Sequence, residues 1–166
     1  MPFANVLSSK SIQALFIHLV ALNLLLIPTS CGKGFSNYLR RGHQLAQRGK
    51  HAQAIRAYDA ALAKKPQAIS ALYYRAGSRY LSTDYEGAMR DFNTLLNQAN
   101  TSNKKKGQAL VGIGKCKEKL GKFEEAIRAY EQSLFYYPRN AYAFYNRGMS
   151  HHYLKDYEKA ILDYGK

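Results

Sequence analysis

One pentapeptide pattern recurs four times along the chain: Ala54-Ile55-Arg56-Ala57-Tyr58, Ala88-Met89-Arg90-Asp91-Phe92, Ala126-Ile127-Arg128-Ala129-Tyr130 and Ala160-Ile161-Leu162-Asp163-Tyr164, in steps of 34, 38 and 34 residues. Twelve residues before each copy stands a small residue: Gly42, Ala76, Gly114 and Gly148. A period of this length marks a supersecondary unit that cannot bury its apolar face alone and must stack on its neighbours. Within each unit the apolar residues follow two helical stripes, separated by Gly49-Lys50, Thr83-Asp84, Gly121-Lys122 and Lys155-Asp156. The pattern predicts helices over 36–48, 51–64, 69–81, 84–98, 105–119, 122–136, 141–153 and 156–165, and no strands. The small residues of each pair of stripes are expected where the two helix backbones approach most closely.

Numbered from residue 35, the units run 35–68, 69–102, 107–140 and 141–166, the last being incomplete. Position 4 is Tyr38, Leu72, Leu110 and Phe144; position 17 is His51, Tyr85, Phe123 and Tyr157; position 24 is Tyr58, Phe92, Tyr130 and Tyr164; Pro66 and Pro138 occupy position 32 of units one and three. This pattern resembles the tetratricopeptide repeat (TPR). The resemblance implies an all-α fold, an α-solenoid of about four TPR helix-turn-helix units wound into a right-handed superhelix.

Ahead of the repeats lies Ile12 to Ile27, an apolar stretch of 16 residues, then Pro28-Thr29-Ser30-Cys31-Gly32. The stretch falls short of the roughly 20 residues of a spanning helix, and Gln13, His18 and Asn23 dilute it, so residues 1–30 read as a signal peptide. Its end resembles a bacterial lipobox, with Pro28 where that motif usually has Leu. The resemblance implies diacylglycerol on Cys31, a membrane anchor and a short tether over 31–34. Cleavage after Ser30-Cys31-Gly32, releasing a soluble exported protein, is the alternative.

Departures from the period carry information. Arg75 and Arg147 at position 7 accompany Asp91 and Asp163 at position 23, which predicts an ion pair inside units two and four. Each such pair is expected to contribute at most about 1 kcal/mol if exposed. Unit one has Arg41 with Ala57, leaving that arginine open to solvent or ligand. Between units two and three, Asn100 replaces the closing Pro, Leu95 stands at a small position and Asn103-Lys104-Lys105-Lys106 is inserted. A longer loop or extended helix is expected there, with the lysines as solvated charge rather than a nucleic-acid patch. Without a closing helix, Ile161 and Tyr164, with Tyr153 and Tyr157 nearby, are expected to be partly exposed. Either the sequence is a piece of a longer array, the plainer account, or this end docks on a partner or a second copy.

For function, the family resemblance places positions 2, 5, 9 and 12 of each first helix on the concave wall. The candidates for a partner-binding groove are Leu39, His43, Tyr73, Tyr80, Lys115, Tyr142, Tyr145, Met149 and His152. Tyrosine gives large amphipathic contact at small entropic cost, which suits a peptide of another protein, although packing between neighbouring helices would use the same rings. The family's carboxylate clamp for chaperone tails is missing, since Leu39, His43, Gln108 and Gly112 stand at its positions. No nucleophile, base and orienting group can be assembled, adjacent His151 and His152 cannot chelate together, and Cys116 reads as an interior spacer. No catalytic residues, metal or cofactor are expected, and no nucleic acid. Two functions remain. One is an envelope scaffold resembling bacterial TPR lipoproteins that assemble pili or outer-membrane machinery or adapt cell-wall enzymes. The other is a basic surface-binding protein, whose net charge of +14, with Lys33, Arg40, Arg41, Arg48 and Lys50 near the anchor, holds it on acidic lipid or polymer.

Overall fold

Helix and turn alternate as the period requires. In the computed structural model the described residues are 31–166, with side chains described from residue 34 onward. Among them are eight helices: α1 (Cys31–Gln47), α2 (His51–Lys64), α3 (Ile69–Leu81), α4 (Tyr85–Leu96), α5 (Asn103–Lys119), α6 (Phe123–Tyr136), α7 (Ala141–Tyr153) and α8 (Tyr157–Tyr164). They pair as four antiparallel hairpins stacked into a solenoid, and no strand occurs among the described residues. α1 already begins at Cys31, so the segment expected as a tether is helical. The signal peptide over 1–30 lies outside the described residues, as does the Cys31 side chain with its expected lipid. No helix among the described residues is long and apolar enough to cross a membrane.

Each hairpin turn starts with a residue in the left-handed region, and two solutions alternate. Gly49 (φ 70°) and Gly121 (φ 72°) adopt it without a steric penalty, and the helices that follow have no side-chain cap. Thr83 (φ 63°) and Lys155 (φ 64°) adopt it at a cost, and there the next residue is a capping aspartate. Asp84 accepts from the Gly87 amide at 2.9 Å, and Asp156 from that of Lys159 at 3.4 Å.

The core lies between successive units. Ala61, Leu62, Ala71 and Leu72 join units one and two, a cluster around Phe92, Leu95, Leu110 and Ile113 joins two and three, and Val111, Ala126, Tyr130 and Ala143 join three and four. Ala54, Ala88 and Ala126 are fully buried and Ala160 is 2% exposed, which places the tight helix crossings where the period requires. The second small position has a different cause from the one expected. A Cβ on Gly42, Gly114 or Gly148 would lie 2.3, 2.3 or 2.7 Å from the ring of Tyr58, Tyr130 or Tyr164, so the aromatic at position 24, not the facing backbone, excludes it. Unit two differs. Its Ala76 tolerates Phe92 because that ring leans into unit three, 2.4 Å from where a Gly112 Cβ would stand.

Arg75 donates to Asp91 through Nε (2.9 Å) and Nη2 (2.6 Å), and Arg147 grips Asp163 in the same way at 2.8 and 2.6 Å. Arg79 adds a third contact, 2.9 Å from Asp91. These are not the exposed pairs whose value would stay near 1 kcal/mol, because the Asp91 and Asp163 side chains are only 4% and 6% exposed. Removing one partner of a buried pair costs about 3–5 kcal/mol.

The inserted residues lengthen α5 by one turn. Ser102 caps it, accepting from the Lys105 amide at 3.3 Å, and the Thr101 hydroxyl donates to the Leu95 carbonyl at 2.8 Å. Four residues are close to a full helical turn of 3.6, so the face that α5 presents to the stack is kept.

Candidate functional site

α3, α5 and α7 touch in succession and form one wall of the solenoid. A cleft of about 330 Å³ opens over α3 and α5, lined by Tyr73, Tyr74, Gly77, Tyr80, Val111 and Lys115. A second, of about 240 Å³, runs on toward α7 and is lined by Tyr73, Gln108, Val111, Asn140 and Tyr142. Tyr73, Gln108 and Val111 border both, so the two clefts adjoin. Gly77 has nothing within 4 Å of a would-be Cβ, which marks open space over the helix rather than a packing contact.

Two cations lie on these rings. Lys105 Nζ is 4.0 Å from the centre of the Tyr73 ring and donates to Gln108 Oε1 at 3.2 Å; Lys115 Nζ is 5.0 Å from the centre of the Tyr80 ring. Burial, and then the neighbouring Lys104 charge, holds Lys105 below the ordinary lysine range. Burial raises the Tyr73 and Tyr80 phenols, so both rings stay neutral at physiological pH. The surface can therefore take apolar or aromatic side chains against its rings and carboxylates against its two ammonium groups. The lysine run is solvated charge only in part: Lys104 is exposed, while Lys105 and Lys106 are half-buried, and Lys104 and Lys106 lie 5.9 and 5.3 Å from the ring centres of Tyr137 and Tyr136. Helix continues through the insert, and helical geometry directs the three side chains onto rings of neighbouring helices.

Of the nine candidate groove residues, Tyr73, Tyr80 and Lys115 meet in the first cleft and Tyr142 borders the second. The other five go elsewhere. Leu39 packs into the core between units one and two, with Phe35 and Leu72, because the end of α2 and the start of α3 close over it. His43 is held edge-on by Tyr74 at 4.1 Å and Tyr58 at 5.9 Å, and burial keeps it below the usual histidine range. Tyr145 tilts against Tyr164, Met149 is half-buried and His152 lies edge-on to Tyr157. Tyr74 and Lys105 were not among the candidates. Lys105 was legible, since 105, 108, 112 and 115 form one helical stripe once the insert is taken as helix. Tyr74 was not, for its position 6 carries Arg40, Gly112 and Asn146 in the other units, with no common residue type.

Cys116 is fully buried and its thiol is pushed up to about 11 by burial. Among the described residues no group of three His, Cys, Asp or Glu side chains is placed to hold a metal ion.

Comparison with known proteins agrees with this architecture. A family model of the tetratricopeptide repeat matches residues 39–103 and 111–166. No curated protein matches the chain. Among solved structures, a MamA protein is similar at 21% identity and a TM-score of 0.67, over 81% of this chain and 71% of that one. MamA from Desulfovibrio magneticus RS-1 gives 17% identity and 0.69 over 79% and 72%. The second TPR domain of human RPAP3, solved with the HSP70 peptide SGPTIEEVD, gives 22% and 0.65 over 72% and 97%. At these identities the likeness concerns the fold.

Proposed function

The chain belongs to the tetratricopeptide repeat family, and from that premise we propose that it is a protein-interaction scaffold that takes a segment of another protein into the tyrosine-lined groove over α3, α5 and α7. The observation that carries this reading is the adjoining pair of clefts, with Tyr73, Gln108 and Val111 common to both and lysines placed on the rings. RPAP3 holds its HSP70 peptide in a domain of this fold, but the clamp positions here are Leu39, His43, Gln108 and Gly112, so the ligand is a different segment. Gly77→Leu provides the test, because its Cβ would stand with nothing within 4 Å and the rest of the side chain would extend into the cleft. A photo-crosslinker at Tyr142 should capture one protein in cells, and Gly77→Leu should abolish the adduct without lowering the melting temperature. An adduct that persists in that variant, or one captured equally by a crosslinker at the outward Phe135, overturns the reading.

The finer reading is a scaffold of the bacterial cell envelope, exported by residues 1–30 and anchored through lipid on Cys31. The Ile12–Ile27 stretch and the lipobox-like Pro28-Thr29-Ser30-Cys31 sequence support it. A mature protein whose mass corresponds to an acylated Cys31 terminus bears this out; an intact Met1 or an unmodified terminus defeats it. Self-association through the last unit is supported by Ile161, Leu162 and Tyr157, which are 70%, 68% and 53% exposed. Sedimentation of an Ile161→Glu, Leu162→Glu variant as a monomer, against a dimeric parent, is the expected outcome; identical behaviour of the two counts against it.

A further inference from the structure

The first unit is electrically unlike the others. Residues 35–68 hold seven basic residues, Arg40, Arg41, Arg48, Lys50, Arg56, Lys64 and Lys65, and a single acidic one, Asp59, whereas unit two balances three of each. No acidic residue precedes Asp59 anywhere in the chain. All seven cations are exposed, and among the described residues none of them makes an ion pair. Asp59 does not offset them locally, since Arg75 of unit two takes it at 2.6 Å.

The imbalance has a focus. Where units two and four place aspartate at position 23 to grip the arginine at position 7, unit one has Ala57, so Arg41 lacks that partner. Arg41 instead shares a cleft of about 210 Å³ with Arg56, Tyr38 and Gln53. Two guanidinium groups, a phenol and an amide around a cleft without a carboxylate match the phosphate of an anionic headgroup. The nearest cation upstream, Lys33, follows the apolar Ile12–Ile27 stretch by six residues. In the lipid-anchored reading Lys33 lies two residues from Cys31, and cations beside a membrane anchor are drawn to anionic lipid. A single-stranded nucleic-acid track instead uses stacking rings along a basic groove.

We propose that the surface of unit one built around Arg41 and Arg56 docks on an anionic membrane, with phospholipid headgroup phosphates as the partners of those two arginines. This cleft shares no lining residue with the two clefts of the groove, so either assignment can fail without the other.

The test compares partition of the full chain into vesicles of phosphatidylcholine alone and of phosphatidylcholine mixed with phosphatidylglycerol; the excess in the mixed vesicles isolates the electrostatic part. At roughly fivefold per cation lost near the surface, Arg41→Glu with Arg56→Glu should reduce that excess by at least about twentyfold. The control Arg90→Glu with Arg128→Glu makes the same change in net charge at the corresponding position of units two and three. It should alter the excess by less than about threefold, because screening confines the attraction to roughly 10 Å. Arg41→Gln with Arg56→Gln gives a milder loss of the same kind should the reversed pair melt early. The proposal is overturned by the absence of any excess, by an equal loss in control and test variants, or by an oligonucleotide that binds unit one while mixed vesicles do not.

Discussion

Units one and two share a hairpin and the same arginine, yet treat it in opposite ways. In unit two Arg75 bridges three elements, gripping Asp91 on α4 and reaching back to Asp59 on α2, and Arg79 closes on the same buried carboxylate. In unit one Arg41 meets Ala57 and stays open beside Arg56. A similar contrast holds for the rings. Tyr58 rests on Gly42 within its own hairpin, whereas Phe92 leaves Ala76 and leans on Gly112 of the next. Unit two thus uses its polar and aromatic residues to bind its neighbours, and unit one leaves its charge toward the outside. The repeat sets the scaffold of each hairpin and leaves two or three positions to decide whether it faces inward or outward.

The largest test of this contrast is Asp91→Ala, which strands Arg75 and Arg79 without their common partner. A loss of about 3 kcal/mol is expected in urea unfolding, and a loss below about 1 kcal/mol would show the pair to act as a surface contact. Next comes Gly42→Ala. The alanine that unit two accepts at this position should cost about 1–3 kcal/mol in unit one, where its Cβ meets the ring of Tyr58, a side chain only 1% exposed. Equal stability of the variant would mean that Tyr58 can lean away as Phe92 does. Ala57→Asp transplants the missing carboxylate into unit one. It should form the position 7 to 23 pair with a stability change within about 1 kcal/mol, and it should reduce the excess binding to anionic vesicles.

The smallest effect concerns a carboxylate without a dedicated arginine. Unit three lacks the pair, having Ile113 and Ala129 there, and its half-buried Glu118 instead accepts from the Ser150 hydroxyl at 2.6 Å. Burial raises the Glu118 carboxyl above its ordinary value although Ser150 opposes the shift. A carboxylate with a folded-state pKa above its unfolded one holds its proton more tightly in the fold. Its penalty is therefore absent below the ordinary carboxylate range and develops as pH rises through the folded value. Glu118→Gln should raise the melting temperature at neutral pH, by less than about 1 kcal/mol in stability, and leave it unchanged in acid. A variant less stable at neutral pH would show the charge to be favourable where it stands.

Much of the fold was legible because it rests on short-range regularity. Helix limits fell within a few residues of their expected places, since each turn carries glycine or a capping aspartate at a fixed phase. The two Arg–Asp pairs could be read from residues that change together between units. The groove was legible only in part. Tyr73 and Tyr80 follow the helical stripe into the cleft, but Leu39 and His43, in the same stripe of α1, are covered by α2 and α3. Lys105 was hidden by reading its insert as a charged linker rather than as an added helical turn.

The sequence by itself determined the period, the small residues at each crossing, the number of hairpins and the uneven distribution of charge, because each depends on residues held one or two helical turns apart or on composition alone. The tertiary structure decided which aromatic leans on which glycine, which tyrosines face the cleft and which lysines lie over them. Those outcomes depend on the angle between neighbouring hairpins, and that angle is the sum of many side-chain contacts, none of them visible in one repeat.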